Sequence, residues 1–402
     1  MTLRRWPITL QIIALARAGI ASGFAQPIAH RSLGLGSARS ASTLQGGYTS
    51  DIDTNNFWNR ETSRGSEWSG RVKKEARILS LSDPGDDNND SLHRGELPEG
   101  ARFLAIGSTF EDFNVDDLRK EDPNVIFVSH PLAREPLAQL LEAFPSIEWV
   151  HSRAAGIDFI TSEGLASSNV IVTNAKGMFS STLAEYAMMA CSYFAKDIPR
   201  LMRQKRAKEW EKYCVEEIRG KTLGVVGYGD IGRATAKLAK AYGMRVVALR
   251  RKPKLSIFDP YCDEVVGEDG LNGLMAQSDY VLVAAPLTEQ TMGMVGAEAL
   301  SCARQSAVII NVGRGPIIDE ERMIEALEKG NIKGAALDVM TVEPLPRDSR
   351  LWSLDNVLLS PHNMDMTDTF MQESTEMFVQ ENIPRFVRGL DLLNPVDKAA
   401  GY

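Results

Sequence analysis

The sequence predicts an α/β protein built from two parallel-sheet blocks, and three observations carry that expectation. From about residue 76 onward, short apolar runs alternate with helix-like segments, the pattern of strands joined by covering helices. One of those runs leads directly into a glycine-rich turn and a helix-forming segment. The chain has 402 residues, 44% hydrophobic and 24% charged, which at about 150 residues per domain leaves room for two or three domains with sizeable cores.

In the first block, residues 77–81, 102–106, 125–129, 149–152 and 170–173 read as strands. Residues 83–90 (DPGDDNND) offer turn formers without an apolar period and predict a loop. Residues 181–213 are too long and too helical in composition for a loop, so they predict one or two helices crossing between the blocks. In the second block, residues 222–226, 245–249, 280–284, 307–311, 335–338 and 357–359 read as six more strands. No internal repeat is visible.

Charge and composition exclude several classes. A net charge of -8 argues against a protein that coats nucleic acid through its bulk field. Cys191, Cys214, Cys262 and Cys302 lack a paired CxxC spacing, so they indicate neither a zinc site nor a disulfide framework. Residues 1–50 contain five arginines and no Asp, Glu or Lys, which places the acidity in the rest of the chain. This start combines Arg4 and Arg5, an apolar run over residues 8–16 and a Ser/Ala/Arg tract over residues 32–43, and it resembles an organelle-targeting peptide. Arg17 closes the apolar run far short of the ~20 residues that a membrane-spanning helix needs. ASGFAQP at residues 21–27 looks like the cleavage motif of plastid-directed leaders, with a mitochondrial presequence and a cytoplasmic tail as rival readings. Residues 51–75 read as a linker or surface-packed extension.

Gly227, Tyr228, Gly229, Asp230, Ile231 and Gly232 form a GxGxxG turn between the strand at 222–226 and the helix-favouring RATAKLAKAY at 233–242. Glycines there allow a tight turn and close backbone approach, so a pyrophosphate can sit against free N–H groups at the positive end of a helix. At the end of the next strand, where an NAD site places an acid on the ribose, stand Arg250, Arg251 and Lys252. Two guanidiniums can hold a 2'-phosphate, which favours NADP over NAD. A solvated basic turn, with Asp259 on the ribose, is the other reading.

Five histidines make elimination useful in finding a general acid or base. His30 lies in the targeting tract and His93 beside the polar loop, while His130 and His151 end strands of the first block. His362 follows the strand at 357–359, at the carboxyl edge where open parallel sheets place their ligands.

The second block resembles the D-isomer-specific 2-hydroxyacid dehydrogenase family in KTLGVVGYGDIGR (221–233), PLTEQT (286–291), NVGRGPIIDE (311–320), AALDVMTVEPLP (335–346) and SPHN (360–363). More loosely, HSRAAGIDFI (151–160) extends the likeness to roughly residues 100–402. The resemblance implies a Rossmann-type doubly wound cofactor domain (174–363) inserted in a flavodoxin-like substrate domain (71–173 and 364–395), with the active site in the cleft. It further implies that Arg314 binds the substrate's carboxylate and carbonyl oxygen, His362 passes the proton, and Glu343 holds His362 through a hydrogen bond. Ala285, Leu287, Val312, Gly313 and Asp338 would line the cofactor, and Ala155 and Gly156 would offer N–H groups to the substrate carboxylate. Arg153 is unexpected in this motif: it reads as an exposed loop residue or as a second cation for a larger or more acidic substrate. Met364, Asp365 and Met366 replace the small residues that commonly follow SPHN in the family, which leaves substrate size open.

The implied reaction is NADPH-dependent reduction of a small 2-oxoacid, glyoxylate or hydroxypyruvate, to the D-2-hydroxyacid by a homodimer. The alternatives are phosphoglycerate dehydrogenase, without an appended regulatory domain, and a dinucleotide-sensing binding protein of the corepressor type.

Overall fold

The computed structural model describes residues 71–398, and the expected targeting peptide and the linker up to residue 70 lie outside them. Two all-parallel sheets organise the described chain. The first contains β1 (Ala76–Leu81), β2 (Ala101–Gly107), β3 (Val125–Val128), β4 (Trp149–Ser152) and β5 (Ile171–Asn174) in the order β2-β1-β3-β4-β5. The second contains β6 (Thr222–Val226), β7 (Arg245–Leu249), β8 (Glu264–Val266), β9 (Tyr280–Val283), β10 (Val308–Asn311), β11 (Gly334–Leu337) and β12 (Val357–Leu359) in the order β12-β11-β10-β9-β6-β7-β8. These are the flavodoxin-like and Rossmann-type doubly wound orders, with switch points between β1 and β3 and between β6 and β9. β8 was not expected; it is a three-residue, half-buried edge strand, too short to show a period.

Parallel strands need crossovers, and the helices supply them. In the first block these are α1 (Asp90–His93), α2 (Val115–Glu121), α3 (Arg134–Ala143) and α4 (Glu163–Ser167). The expected crossing segment is two helices, α5 (Ser180–Ala195) and α6 (Ile198–Ala207), followed by residues 208–219 without regular structure. The second block adds α7 (Asp230–Ala241), α8 (Leu271–Gln277), α9 (Ala297–Cys302) and α10 (Glu320–Glu328). α11 (Phe370–Met377) and α12 (Ile383–Arg388) follow, joined by a π-helical turn.

The sequence explains the layers. β9 is apolar throughout and β10 up to its last residue, Asn311, and both are fully buried, as strands covered on both faces are. α5 and α7 pack on each other through small residues, among them Ala187, Ala190, Ala236 and Ala239. α12 and the turn before it return to the first sheet, setting Phe378, Ile383 and Phe386 on Ile78, Phe127 and Trp149. Burial of a ring such as Phe378 is worth about 2–3 kcal/mol.

Two polar features of the first sheet correct the sequence reading. Residues 83–90 are not simply a loop: Asp86 accepts from the Asn88 N–H, a 3-10 turn covers Asp87–Asn89, and α1 begins at Asp90. Residues 71–75 are docked, with the Lys73 and Lys74 N–H groups donating to the Val387 carbonyl.

His151, at the end of β4, is a core residue. It is fully buried, stacks on Phe378 with ring centroids 4.9 Å apart, and brings Nδ1 to 2.7 Å from the Thr173 hydroxyl. Trp149 Nε1 donates to the same hydroxyl oxygen, so Thr173 ties the two rings together in the core. Burial pushes the His151 pKa down to about 3. An unfolded imidazole takes up a proton near pH 6.5 and the folded one does not, so stability is complete above that value and is lost as pH falls toward 3. His151 is expected to account for about 2 kcal/mol of destabilisation between pH 6.5 and pH 5. Urea unfolding at pH 7 and pH 5 checks this: the drop should shrink in His151→Gln, and an equal drop in both proteins would refute it.

Candidate active site

The dinucleotide turn sits where β6 meets α7. Gly227 has φ +97, and a Cβ there would lie 2.5 Å from the Ala285 backbone nitrogen, so only glycine lets the fingerprint close against the segment after β9. Gly227 thus packs against Ala285, with Gly229, Asp230, Ile231 and Gly232 following it into α7 and Leu287 following Ala285 on its segment. Tyr228 is buried, so the chain offers its backbone rather than its ring. α7 starts at Asp230 with no side-chain cap, which leaves its first N–H groups to a ligand. Every one of these features suits a pyrophosphate.

At the end of β7, Arg250 is half-buried and its Nη1 donates to Ser256 Oγ at 2.6 Å. Arg251 follows it at the start of the next loop. Asp259 is committed elsewhere: its carboxylate is 5% exposed and accepts from Arg233 Nε at 2.5 Å. The reading in which Asp259 serves a ribose hydroxyl therefore fails, because a buried carboxylate paired this closely is not available to a ligand.

The expected proton-transfer pair, His362 and Glu343, is brought together from two loops. His362 Nδ1 donates to Glu343 Oε2 at 2.8 Å, and Glu343 Oε1 accepts from the Met340 N–H at 3.0 Å. This fixes the ring and leaves Nε2 for the reacting oxygen. His362 has φ +51, in the left-handed region that a non-glycine residue enters at a cost of about 1–2 kcal/mol. Asp338, 1% exposed, holds it there. Its carbonyl accepts from the His362 N–H at 2.9 Å, and its Oδ1 accepts from Ser360 Oγ at 2.7 Å and the Asn363 N–H at 3.1 Å. Asp338 was expected only along the cofactor, and no motif signals this bracing of the His362 turn.

Arg314 follows β10 and Val312–Gly313. Buried Asn311 staples its loop, accepting from the Gly313 N–H at 3.0 Å and donating to the Arg314 carbonyl at 3.1 Å. Arg314 Nη1 donates to the Gly313 carbonyl at 2.9 Å. Its Nη2 lies 3.5 Å from Asp158 Oδ1 on the substrate side of the cleft. Gly315 packs so tightly that a Cβ there would fall 2.0 Å from the Met340 carbonyl carbon, which brings the Arg314 and Glu343 loops into backbone contact. Across the cleft, the Ala155 carbonyl accepts from Asn174 Nδ2 at 2.6 Å, and a Cβ on Gly156 would lie 2.1 Å from Arg314 Nη2. The expected substrate loop and the expected substrate cation therefore meet.

Sequence reasoning missed Asn311, Asp158, Ser360 and Asp365. Asn311 had a signal, an amide ending an otherwise apolar strand. Asp365 is partly buried and its carboxyl is pushed up by desolvation, with His362 and Arg314 near enough to act against the shift. Arg153 contradicts both of its readings: it is 8% exposed, and Nη1 donates to Asp86 Oδ2 at 2.6 Å and Asn89 Oδ1 at 2.8 Å. It is neither an exposed loop residue nor a cation free for substrate.

Taken together, a fixed cation, a braced imidazole and a helix N-terminus can bind a carboxylate beside a carbonyl, deliver a proton to its oxygen, and hold a dinucleotide alongside.

Comparison with known proteins agrees. Residues 188–363 match the family described as D-isomer specific 2-hydroxyacid dehydrogenase, NAD binding domain. A glyoxylate reductase of Korarchaeum cryptofilum is 33% identical over 275 residues, covering 64% of this chain and 79% of that enzyme. A D-3-phosphoglycerate dehydrogenase of Methanocaldococcus jannaschii is 32% identical over 313 residues, covering 75% of this chain but only 57% of that enzyme's length. Among solved structures, a D-isomer specific 2-hydroxyacid dehydrogenase from Xanthobacter autotrophicus Py2, in complex with NADPH and MES, is 29% identical with a TM-score of 0.65. That likeness covers 81% of this chain and 100% of the other.

Gly156→Ala tests the meeting of loop and cation. The atom in the way is the tip of a flexible side chain, so the fold should survive while the guanidinium is displaced. Thermal midpoint is expected to stay within about 2 °C and kcat/KM for 2-oxoacids to fall about tenfold or more, of the order of one lost charged hydrogen bond. Unchanged kcat/KM would place Arg314 away from this loop during turnover.

Proposed function

The chain belongs to the D-isomer-specific 2-hydroxyacid dehydrogenase family, and on that premise we propose that it is an NADPH-dependent reductase of a small 2-oxoacid, glyoxylate or hydroxypyruvate, giving the D-2-hydroxyacid. Residues 71–173 with 364–395 serve as substrate domain and residues 174–363 as cofactor domain. The observation that carries the reading is the 2.8 Å pair of His362 and Glu343 on the cleft that Arg314 shares with Gly156.

Each side chain then has a task. The Arg314 fork and the N–H groups of Ala155 and Gly156 hold the carboxylate, and Arg314 also faces the adjacent carbonyl oxygen. Gly227–Gly232, Ala285, Leu287, Val312, Gly313 and Asp338 hold the dinucleotide, with Arg250 and Arg251 on a 2'-phosphate. Bound there, the reduced nicotinamide supplies a hydride to the substrate's C2. As negative charge grows on the carbonyl oxygen, Arg314 stabilises it and His362 Nε2 gives up its proton to it. Glu343 keeps the imidazole in the donating orientation and balances the charge that the ring carries before transfer.

Phosphoglycerate dehydrogenase is the second reading, supported by the Methanocaldococcus relative. Against it stands the burial of Arg153, which is tied to Asp86 rather than offered to a phosphate. A homodimer is supported by the apolar surface along α6 and the segment after it, where Leu201, Met202 and Trp210 are 44%, 46% and 95% exposed. Organelle delivery, to a plastid ahead of a mitochondrion, rests on the acid-free, arginine-bearing first 50 residues.

Oxidation of NADPH and NADH should be followed with glyoxylate, hydroxypyruvate, pyruvate and phosphohydroxypyruvate. A small acid with NADPH is expected to give the highest kcat/KM; phosphohydroxypyruvate as the best substrate would establish the second reading. Arg250→Ala with Arg251→Ala should lower kcat/KM for NADPH by about tenfold or more and leave NADH nearly unchanged, as loss of phosphate-specific pairs requires. His362→Gln should lower kcat by about 10²–10⁴ with NADPH binding intact; retention of turnover would remove His362 from the chemistry.

A further inference from the structure

The buried arginine in the substrate motif has partners on β3 and in the turn after β1, and through Asn89 its network reaches α11. Arg153 continues the ladder of the first sheet, its N–H donating to the Val128 carbonyl at 2.9 Å, while its guanidinium turns inward. Nη1 reaches Asp86 and Asn89 in the turn after β1. Asn89, fully buried, donates from Nδ2 to Ser129 Oγ at the end of β3 at 3.2 Å. Its Oδ1 accepts from Thr375 Oγ1 in α11 at 3.0 Å. Burial would push the Asp86 carboxyl up, yet the Arg153 hydrogen bond and charge outweigh it and hold the group below the usual carboxylate range. The pair is therefore ionised.

The network lies directly beneath the substrate loop. Ala154, one residue on from Arg153, has its N–H and carbonyl both within 3.2 Å of Ser152 Oγ. Ala155 and Gly156 follow, where the backbone meets the Arg314 guanidinium. On the far side the turn is held by Asn174 through the Ala155 carbonyl. At its other end the network grips α11, which begins eight residues after His362. A charged side chain that is 9% exposed is costly unless its geometry is fixed, and a group so fixed transmits its position to the backbone that carries it.

We propose that Arg153 is a positioning residue: anchored by Asp86 and Asn89, it sets the height of the Ala154–Ala155–Gly156 turn against Arg314 and ties that turn, through Asn89 and Thr375, to α11. Arg153 acts on substrate through the loop and never touches it. The inference rests on the reading of residues 155–156 as the carboxylate loop. It assigns the turn-forming segment at residues 83–90 a role in substrate affinity, although no residue of that segment need contact substrate.

The full-length protein and its Arg153→Met, Arg153→Lys and Thr375→Val variants would be compared in KM and kcat for glyoxylate and hydroxypyruvate, KM for 2-oxoglutarate, NADPH Kd by fluorescence, and thermal midpoint. Turnover by the unaltered protein tests the functional reading separately. Given that turnover, Arg153→Met is expected to raise KM for both small acids tenfold or more while NADPH Kd stays within twofold, and Arg153→Lys to restore most of the loss. Thr375→Val, which keeps the ion pair, should raise KM about threefold and settles the matter should Arg153→Met fail to fold. Unchanged KM in soluble variants, with only a lowered thermal midpoint, would reduce Arg153 to a structural residue and overturn the proposal. A KM increase confined to 2-oxoglutarate would overturn it in favour of direct contact between Arg153 and a second carboxylate.

Discussion

A carboxylate almost wholly removed from water needs partners inside the protein, and Asp338 finds them in the turn that presents His362. Its carbonyl accepts from His362, and its Oδ1 accepts from Ser360 and Asn363. Those bonds hold His362 at a backbone angle it would not otherwise keep. With the backbone so fixed, the ring reaches Glu343, and Glu343 is itself tethered by Met340, two residues past Asp338. The acid that accepts and the imidazole that donates are thus both referenced to the end of β11. The strand order of the second sheet matters here because β10, β11 and β12 are consecutive neighbours, so the loops bearing Arg314, Glu343 and His362 leave from one short stretch of sheet edge.

The substrate side is built differently. No single strand edge carries it; a turn after β4 is held between an amide from β5 and a buried ion pair from the segment after β1. Arg314 reaches across to that turn, where Asp158 meets it at 3.5 Å. An exposed pair of this kind is worth little as stability, about 0–1 kcal/mol. It does show that the guanidinium already attracts a carboxylate on the substrate side of the cleft.

Much of this was legible in the sequence, and the parts that were not share a cause. Residues 149–152, 222–226, 245–249 and 357–359 form strands with the predicted bounds, the last three because each is a mainly apolar run that ends in polar or turn-forming residues. Elimination among the histidines pointed to His362, and the structure places His151 in the core and His362 just after the last strand of the second sheet, against Glu343. The fingerprint was legible because its glycines answer a local backbone need. Arg153 was misread because its motif shows a charge and not the acid 67 residues earlier that buries it. Residues 83–90 were read as loop because turn formers signal irregular backbone, whereas here Asp86 uses its carboxylate to cap a helical turn. Asp338, Asn311 and Ser360 do their work by bonding to backbone atoms of neighbouring loops. A one-dimensional pattern shows that such polar residues end strands and not which turn they hold.

The contact at Gly315 bears on how such a protein can change over generations. With the Met340 carbonyl packed where a Cβ at Gly315 would stand, the Arg314 loop and the Glu343 loop cannot drift independently: any side chain gained at 315 must be matched by a displaced backbone beside Glu343. Variation that alters substrate choice is thereby channelled to the other wall of the cleft, around residues 152–158. There, lineages can diversify without disturbing the proton-transfer machinery, and related sequences should differ most within that wall while the two facing loops covary or stay fixed.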